Sequence, residues 1–368
     1  MNSTTLEHFR KSLANWYDVH KRTLPWRDIN CAYRIWVSEI ILQQTTVEQG
    51  LSYYERFIDK YPDIFSLASA SEHDVLKLWQ GLGYYSRARH MHKTAQDIVK
   101  QFNGVFPSSY EVLIKFKGIG SYTAAAILSF AYNLPYPVVD GNVLRVISRL
   151  FAIEEAVNTT AGLKIVKEKT HLLFDKKNPA IFNQAIMEFG ALHCKVRQPL
   201  CDTCFACAYC NAYQKNIQQL LPVKKEKKIS RNRYFMYLVP LIKTDGIIYT
   251  YIRKRPPNDI WQGLYDFILF ETPVPVDAPA FLKSKNYSGF LKDNSLKKKQ
   301  ITPEIISKTY IHKLTHQNIY ACFIVLHAND AVFSENYLRV PWQTIDSYPL
   351  PKLIDNFIKD NLLKILFG

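Results

Sequence analysis

Five of the seven cysteines in this 368-residue chain fall between positions 194 and 210. They are Cys194, Cys201, Cys204, Cys207 and Cys210; the other two, Cys31 and Cys322, stand alone. Such density in a large chain without a secretion signal does not read as a disulfide framework and points to a metal site. Four thiolates suit zinc or an iron–sulfur cluster. Zinc modules usually place a longer spacer between two CxxC pairs, whereas Cys194, Cys201, Cys204 and Cys210 are separated by six, two and five residues. That compact run fits a loop wrapped around a 4Fe–4S cube. Cys207 extends it into an unbroken ladder, so from spacing alone any four of the five could ligate. The plainer alternative is a set of reduced structural thiols.

Charge supplies the second constraint. Lys and Arg total 47 against 32 Asp and Glu, a net +15 that suggests a polyanionic partner, most simply nucleic acid. A hydrophobic fraction of 48% with 21% charged residues is a globular mix and excludes disorder as the main state. No apolar run approaches the roughly 18 residues a membrane helix needs. Tyr234 to Ile242 is the longest candidate and contains Pro240. Met1 to Arg10 is polar, without a signal-peptide pattern. A soluble cytoplasmic protein with no membrane partner is expected, nucleoid-associated if bacterial.

The chain divides by composition. Up to Pro222 it reads as helical, punctuated at Pro62, Gly81 to Gly83, Gly104 to Pro107, Gly118 to Gly120, Pro135 to Pro137 and Pro179. Val223 to Arg233 carries six basic residues and one acid and reads as a basic linker. Strands are expected at Tyr234 to Ile242, Ile247 to Arg253, Leu264 to Phe270 and Ile319 to Leu326. A second stretch, Leu282 to Gln300, again carries six basic residues and one acid. The expected domains are 1–222, with a hairpin at about 108–131 and the cysteine loop at 194–210, a linker at 223–233, and 234–368.

Three further features carry chemistry. Lys117-Gly118-Ile119-Gly120-Ser121-Tyr122-Thr123 lies between two helical stretches, and a turn there would aim backbone N–H groups at a phosphate; an ordinary helix connection is the plainer alternative. Glu39 sits between Val37 and Ile40 in an apolar helix, where burial raises a carboxyl pKa toward the range of a general acid. A paired, purely structural Glu is the alternative. Asp140-Gly141-Asn142 opens a helix, so Asp140 is either a plain N-cap or the second carboxylate of a glycosidic-cleavage pair. Lys195 and Arg197 would sit on an exposed loop, as phosphate contacts or merely as solvated charges.

In this order, Ser38 to Thr45 (SEIILQQT), Gly81 to Arg89 (GLGYYSRAR), the Gly118 hairpin, Val139 to Val143 (VDGNV) and the cysteine spacing resemble the MutY family of adenine DNA glycosylases, in the helix-hairpin-helix superfamily. The resemblance spans nearly the whole chain. It implies an α+β multidomain protein: an all-α helix-hairpin-helix glycosylase domain with a 4Fe–4S cluster, then a C-terminal α/β Nudix-like domain. It implies a monomeric, monofunctional enzyme on double-stranded DNA that flips adenine lying opposite 8-oxoguanine, or guanine, and hydrolyses its N-glycosidic bond. Glu39 would protonate adenine N7, and Asp140 would stabilise or transiently attack the sugar cation, with Tyr122 and Asn142 orienting them. Gln44 and Tyr84 would enter the duplex, near Leu42, Gln43 and Thr45; Lys117, Gly118 and Gly120 would hold the backbone. Cys194, Cys201, Cys204 and Cys210 would be the cluster ligands, with Cys207 extra. Tyr122 stands where endonuclease III-like relatives carry a nucleophilic lysine, so no efficient lyase step is expected. Arg255-Pro256-Pro257 and Trp261 to Tyr265 resemble the family's Nudix-like domain, but the glutamate-rich hydrolase box is absent. Leu314-Thr315-His316 stand at the family's Phe-Ser-His loop, which senses 8-oxoguanine. Thr315 keeps the hydroxyl; Leu314 removes an aromatic contact. Phe267-Ile268 also departs from the usual Phe-Pro. Rival readings are a related mismatch or oxidised-pyrimidine glycosylase, and a non-catalytic iron–sulfur DNA-binding protein.

Overall fold

The computed structural model describes residues 2–226, 231–296, 300–328 and 333–367. Part of the expected linker, 227–230, and the lysine run 297–299 lie outside the described residues. The helices of the first part are α1 (Ser3–His20), α2 (Ala32–Ile41), α3 (Val47–Lys60), α4 (Ile64–Ser69), α5 (Glu72–Leu78) and α6 (Ser86–Phe102). They are followed by α7 (Tyr110–Leu113), α8 (Ser121–Tyr132), α9 (Gly141–Phe151), α10 (Thr160–Leu173), α11 (Pro179–Leu192) and α12 (Asn211–Gln214). The chain then forms β1 (Arg231–Thr244), β2 (Ile247–Lys254), β3 (Tyr265–Asp266), β4 (Ile268–Thr272), α13 (Ala278–Leu282) and α14 (Lys285–Asp293). It closes with β5 (Ile301–Ile306), β6 (Tyr310–Lys313), β7 (Gln317–Ala328), β8 (Leu338–Pro341) and α15 (Lys352–Phe367). Among the described residues no helix is long and apolar enough to cross a membrane.

Two compact units emerge: Met1–Ser69 with Lys93–Lys227, and Ala70–His92 with Lys228–Gly368. The linear reading places 70–92 within 1–222, whereas here they group with the C-terminal residues. The reason is local bonding. His73 Nε2 lies 3.2 Å from the Ser347 carbonyl, Tyr85 donates to the Leu350 carbonyl at 3.3 Å, and Gln80 Oε1 accepts from Leu350 N at 3.4 Å.

In the first unit, α1, α9, α10 and α11 share one core built from Phe9, Leu13, Val146, Ile147, Ile186 and Phe189, and Cys194, Cys204 and Cys210 pack against it. In α2, Ile35, Trp36, Val37, Ile40 and Ile41 are all essentially buried. At about 1.5–3 kcal/mol per fully buried large apolar side chain, that burial fixes the helix and carries Glu39 inside with it.

Among the described residues of the second unit, eight strands form one mixed sheet. Central β1 runs parallel to β7 and antiparallel to β2 and β4. Its alternate residues serve two cores: Phe235, Tyr237, Val239 and Leu241 on one face, Met236, Leu238 and Ile242 on the other. A strand covered on both faces is continuously apolar, which is why it stands out in the sequence. The stretch 282–300, notable in sequence for charge, instead supplies α14, whose Tyr287, Phe290 and Leu291 are buried.

Candidate active site

Lys117 to Gly120 form the turn before α8. Gly118 sits at φ +81°, the left-handed region that favours glycine, while buried Ile119 anchors the turn. Gly120 is the N-cap and leaves the first N–H groups of α8 without a side-chain cap. Lys117 is exposed. The flanking α7 is only one turn long, because its helix ends at Leu113 and tight turns carry the chain to Phe116.

The first turn of α8 delivers Tyr122 to α2, and its hydroxyl donates to Glu39 Oε2 at 2.6 Å. Burial pushes the Glu39 carboxyl up to about 7; the nearby Asp140 charge adds to this, and the Tyr122 hydrogen bond and Arg27 oppose it. Burial likewise holds the Tyr122 phenol well above its ordinary value. Glu39 is thus half-protonated near neutrality, and Tyr122 remains a hydrogen-bond donor.

Asp140 is the N-cap of α9: Oδ1 accepts from Val143 N at 2.7 Å, and Oδ2 accepts from Asn142 Nδ2 at 2.8 Å. Burial raises its pKa, while these hydrogen bonds and Arg145 pull it down. The side chain that caps α9 also lines the cleft that holds Glu39. Asn142 is held in turn by Arg145, whose Nη2 donates to Asn142 Oδ1 at 2.9 Å and to the Gly190 carbonyl at 2.6 Å. Arg145 Nε also reaches the Cys194 carbonyl at 2.8 Å. Gly190 permits this approach, since a Cβ there would stand 2.7 Å from Asn142 Cβ.

One cleft of about 760 Å³ is lined by Glu39, Tyr122, Asp140 and Asn142 and by Leu42, Gln43, Gln44 and Thr45. Its size suits a small ligand such as a nucleobase. Gln44 is exposed and sits at φ +57° in the turn after α2. Sequence reading missed other wall residues: Arg22, Trp26, Arg27 and Glu188. Glu188 is buried and ion-paired with Arg22 at 2.7 Å and Arg27 at 2.6 Å. Burial opposes its ionisation, but those guanidinium hydrogen bonds win and hold the carboxyl at about 2. Partners more than 160 positions apart leave no local signal.

The cysteine loop forms a second cavity, walled by Phe9, Val146, Leu150 and Phe189 and lined by all five clustered cysteines. Burial pushes the Cys204 thiol up to about 12, with Cys194, Cys210 and Cys201 adding to the rise. Several thiolates cannot share such a cavity without a positive centre, so the donor set fits a metal cluster. Two N–H groups already address these sulfurs: Arg149 Nη1 to Cys194 Sγ and Ala206 N to Cys204 Sγ, both at 3.4 Å. Among the described residues no group of three or more His, Cys, Asp or Glu side chains closes around a single-ion site. Lys195 and Arg197 are exposed on this loop, and Arg149 ties down the backbone there, donating from Nη1 to the Lys195 carbonyl at 2.6 Å and from Nη2 to the Val196 carbonyl at 3.1 Å.

In the second unit, Tyr84 is 46% exposed at φ +49°, and its hydroxyl lies 3.0 Å from Thr315 Oγ1. Thr315 and His316, both exposed, are the central residues of the turn joining β6 to β7, closed by Leu314 N donating to the Gln317 carbonyl at 2.8 Å. Leu314 packs against the core under the sheet rather than standing free in the loop.

A glycine-turned helical hairpin and two buried carboxyls in one cleft of the first unit, and a mixed sheet in the second, define the chain as a helix-hairpin-helix base excision DNA repair protein. The "HhH-GPD superfamily base excision DNA repair protein" model matches residues 37–169, and the "NUDIX domain" model matches 239–360. The chain belongs to the adenine DNA glycosylase family, and is thus a hydrolase of N-glycosidic bonds with DNA as its partner. It is 33% identical over 363 residues to the adenine DNA glycosylase of Buchnera aphidicola subsp. Baizongia pistaciae, covering 96% of this chain and 97% of that one. It is 43% identical over 216 residues to the adenine DNA glycosylase of Mus musculus, covering 56% of this chain and 42% of that one. Among solved structures it is similar to a thermostable thymine-DNA glycosylase, with TM-score 0.54 and 26% identity, covering 58% of this chain and all of the other.

Proposed function

We propose that the chain excises adenine lying opposite 8-oxoguanine, and more weakly opposite guanine, from duplex DNA, without an efficient strand-cutting step. The observation that carries this reading is the pairing of Glu39, raised to about 7 and bonded to Tyr122, with Asp140 on the wall of the same cleft. A base inside a duplex is out of reach and must be flipped, at a cost of a few kcal/mol. Gln44 and Tyr84, both exposed and both held at positive φ, are suited to fill the gap. Adenine leaves poorly as an anion. Protonated Glu39 supplies N7 with a proton as the glycosidic bond breaks, and ionised Asp140 stabilises the developing sugar cation. Asn142 holds the Asp140 carboxylate in place, and Tyr122 holds Glu39.

Thr315 and His316 would meet the 8-oxoguanine partner base, and Lys117, Gly118, Gly120, Lys195 and Arg197 the phosphates. Cys194, Cys201, Cys204 and Cys210 would hold a 4Fe–4S cluster. Bound there, the cluster would supply the positive centre that lets four thiolates share the cavity and would fix the Lys195–Arg197 loop; no catalytic step passes through it. The chain acts as a monomer in this reading. Tyr122 offers no amine for a Schiff base. Borohydride reduction during turnover should therefore trap no covalent DNA adduct, and trapping at the level of a lysine-bearing lyase would overturn the monofunctional reading.

A further inference from the structure

The cysteine loop carries one thiol more than a four-ligand cluster uses. Its backbone is a run of i→i+3 turns: Cys204 N donates to the Cys201 carbonyl at 3.1 Å, Cys207 N to the Cys204 carbonyl at 3.1 Å, and Cys210 N to the Cys207 carbonyl at 3.3 Å. Cys207–Tyr209 is a 3₁₀ turn ending at Cys210. In that geometry side chains three apart eclipse one another. The 3₁₀ turn sets Cys207 one turn before Cys210, and Cys204, Cys207 and Cys210 all line the one apolar-walled cavity. Cys207 is half-buried, as its neighbours are, and forms no disulfide.

We propose that Cys207 is a reserve ligand: when the Cys210 thiolate is lost, Cys207 takes its place on the cluster. This rests on the cluster reading above. The exchange is a ligand substitution without redox change. With a cluster bound, the Cys210 sulfur would leave iron as a protonated thiol, the Cys207 thiol would give up a proton and bind iron in its place, and one proton would thus pass by way of solvent from Cys207 to Cys210 with no electron transferred. The shift is short because the two residues share one turn, and α12 begins at the next residue, Asn211.

Iron and sulfide per chain, with visible cluster absorbance, test this on purified full-length protein. Wild type and Cys207→Ser should carry equal iron. Cys210→Ser should keep roughly half or more of the wild-type iron, while Cys207→Ser/Cys210→Ser should fall on the order of tenfold below it. Equal iron in Cys210→Ser and the double variant, whether both full or both empty, overturns the proposal. Alkylation provides a second readout: Cys207 should react in the iron-loaded wild type and be protected in iron-loaded Cys210→Ser, and unchanged reactivity would contradict the exchange. Absence of iron from the wild type would instead defeat the cluster reading itself.

Discussion

The Tyr122 hydroxyl donates to the Glu39 carboxylate across 2.6 Å, joining the first turn of the hairpin's second helix to a carboxyl inside an apolar helix. Burial raises Glu39 and this bond lowers it, so the balance near 7 is set by the pair. Base release should therefore fall as pH rises through about 7, as the proton leaves Glu39. Tyr122→Phe removes the lowering bond, so the alkaline limb should move to higher pH. A limb unmoved by Tyr122→Phe in single-turnover pH profiles would contradict the pairing.

The same shift makes a stability prediction. Glu39 has a folded pKa of about 7 against an ordinary 4.5. Its contribution is thus fully favourable below about 4.5 and is lost as pH rises through about 7, on the order of 3 kcal/mol in all. Glu39→Gln should melt at a higher temperature than wild type above pH ~7 while losing activity on the order of a hundredfold or more. Calorimetry at acid and alkaline pH checks this; equal melting of the two proteins at alkaline pH would contradict the buried-acid account.

Gly190 is a packing requirement rather than a chemical one. Gly190→Ala places a methyl 2.7 Å from Asn142 Cβ and 3.1 Å from its carbonyl oxygen. The N-terminus of α9 must shift, and Asp140 shifts with it. A loss of roughly a hundredfold in base release is expected with DNA affinity retained, since displacement of about 1 Å can cost that much. Wild-type turnover by this variant would show that Asp140 needs no such positioning.

Much of this was legible in the sequence because it depends on local pattern. The apolar run around Glu39, the glycines of the hairpin and the continuous apolar stretch of β1 each dictate their structure over a few residues. Asp140 was legible both as a cap and as a candidate carboxylate; it caps α9 and lines the cleft. The Glu188 pairs with Arg22 and Arg27 were not legible, because tertiary packing alone brings them together. Nor was the grouping of 70–92 with the C-terminal residues, whose bonds to Ser347 and Leu350 join partners more than 260 positions apart. Strands β5, β6 and β8 were also missed, since at least half of the residues in each are exposed and the apolar signal is weak.

In the second unit, Arg255 and Asp266 form a buried pair at 2.5 Å, with Arg255 2% and Asp266 0% exposed. Asp266→Ala leaves the guanidinium without that partner in the interior, and should cost about 3–5 kcal/mol. Guanidinium denaturation should show this loss; a change under about 1 kcal/mol, within the range of exposed pairs, would place the pair at the surface.

The most direct measurement is single-turnover release of adenine from a duplex with adenine opposite 8-oxoguanine, comparing wild type with Glu39→Gln and Asp140→Asn at equal DNA occupancy. Wild type should release adenine, faster than from adenine opposite guanine, and both variants should lose release almost completely. Wild-type rates in both variants would contradict this, since Glu39 and Asp140 would then be only a buried carboxyl and a helix cap.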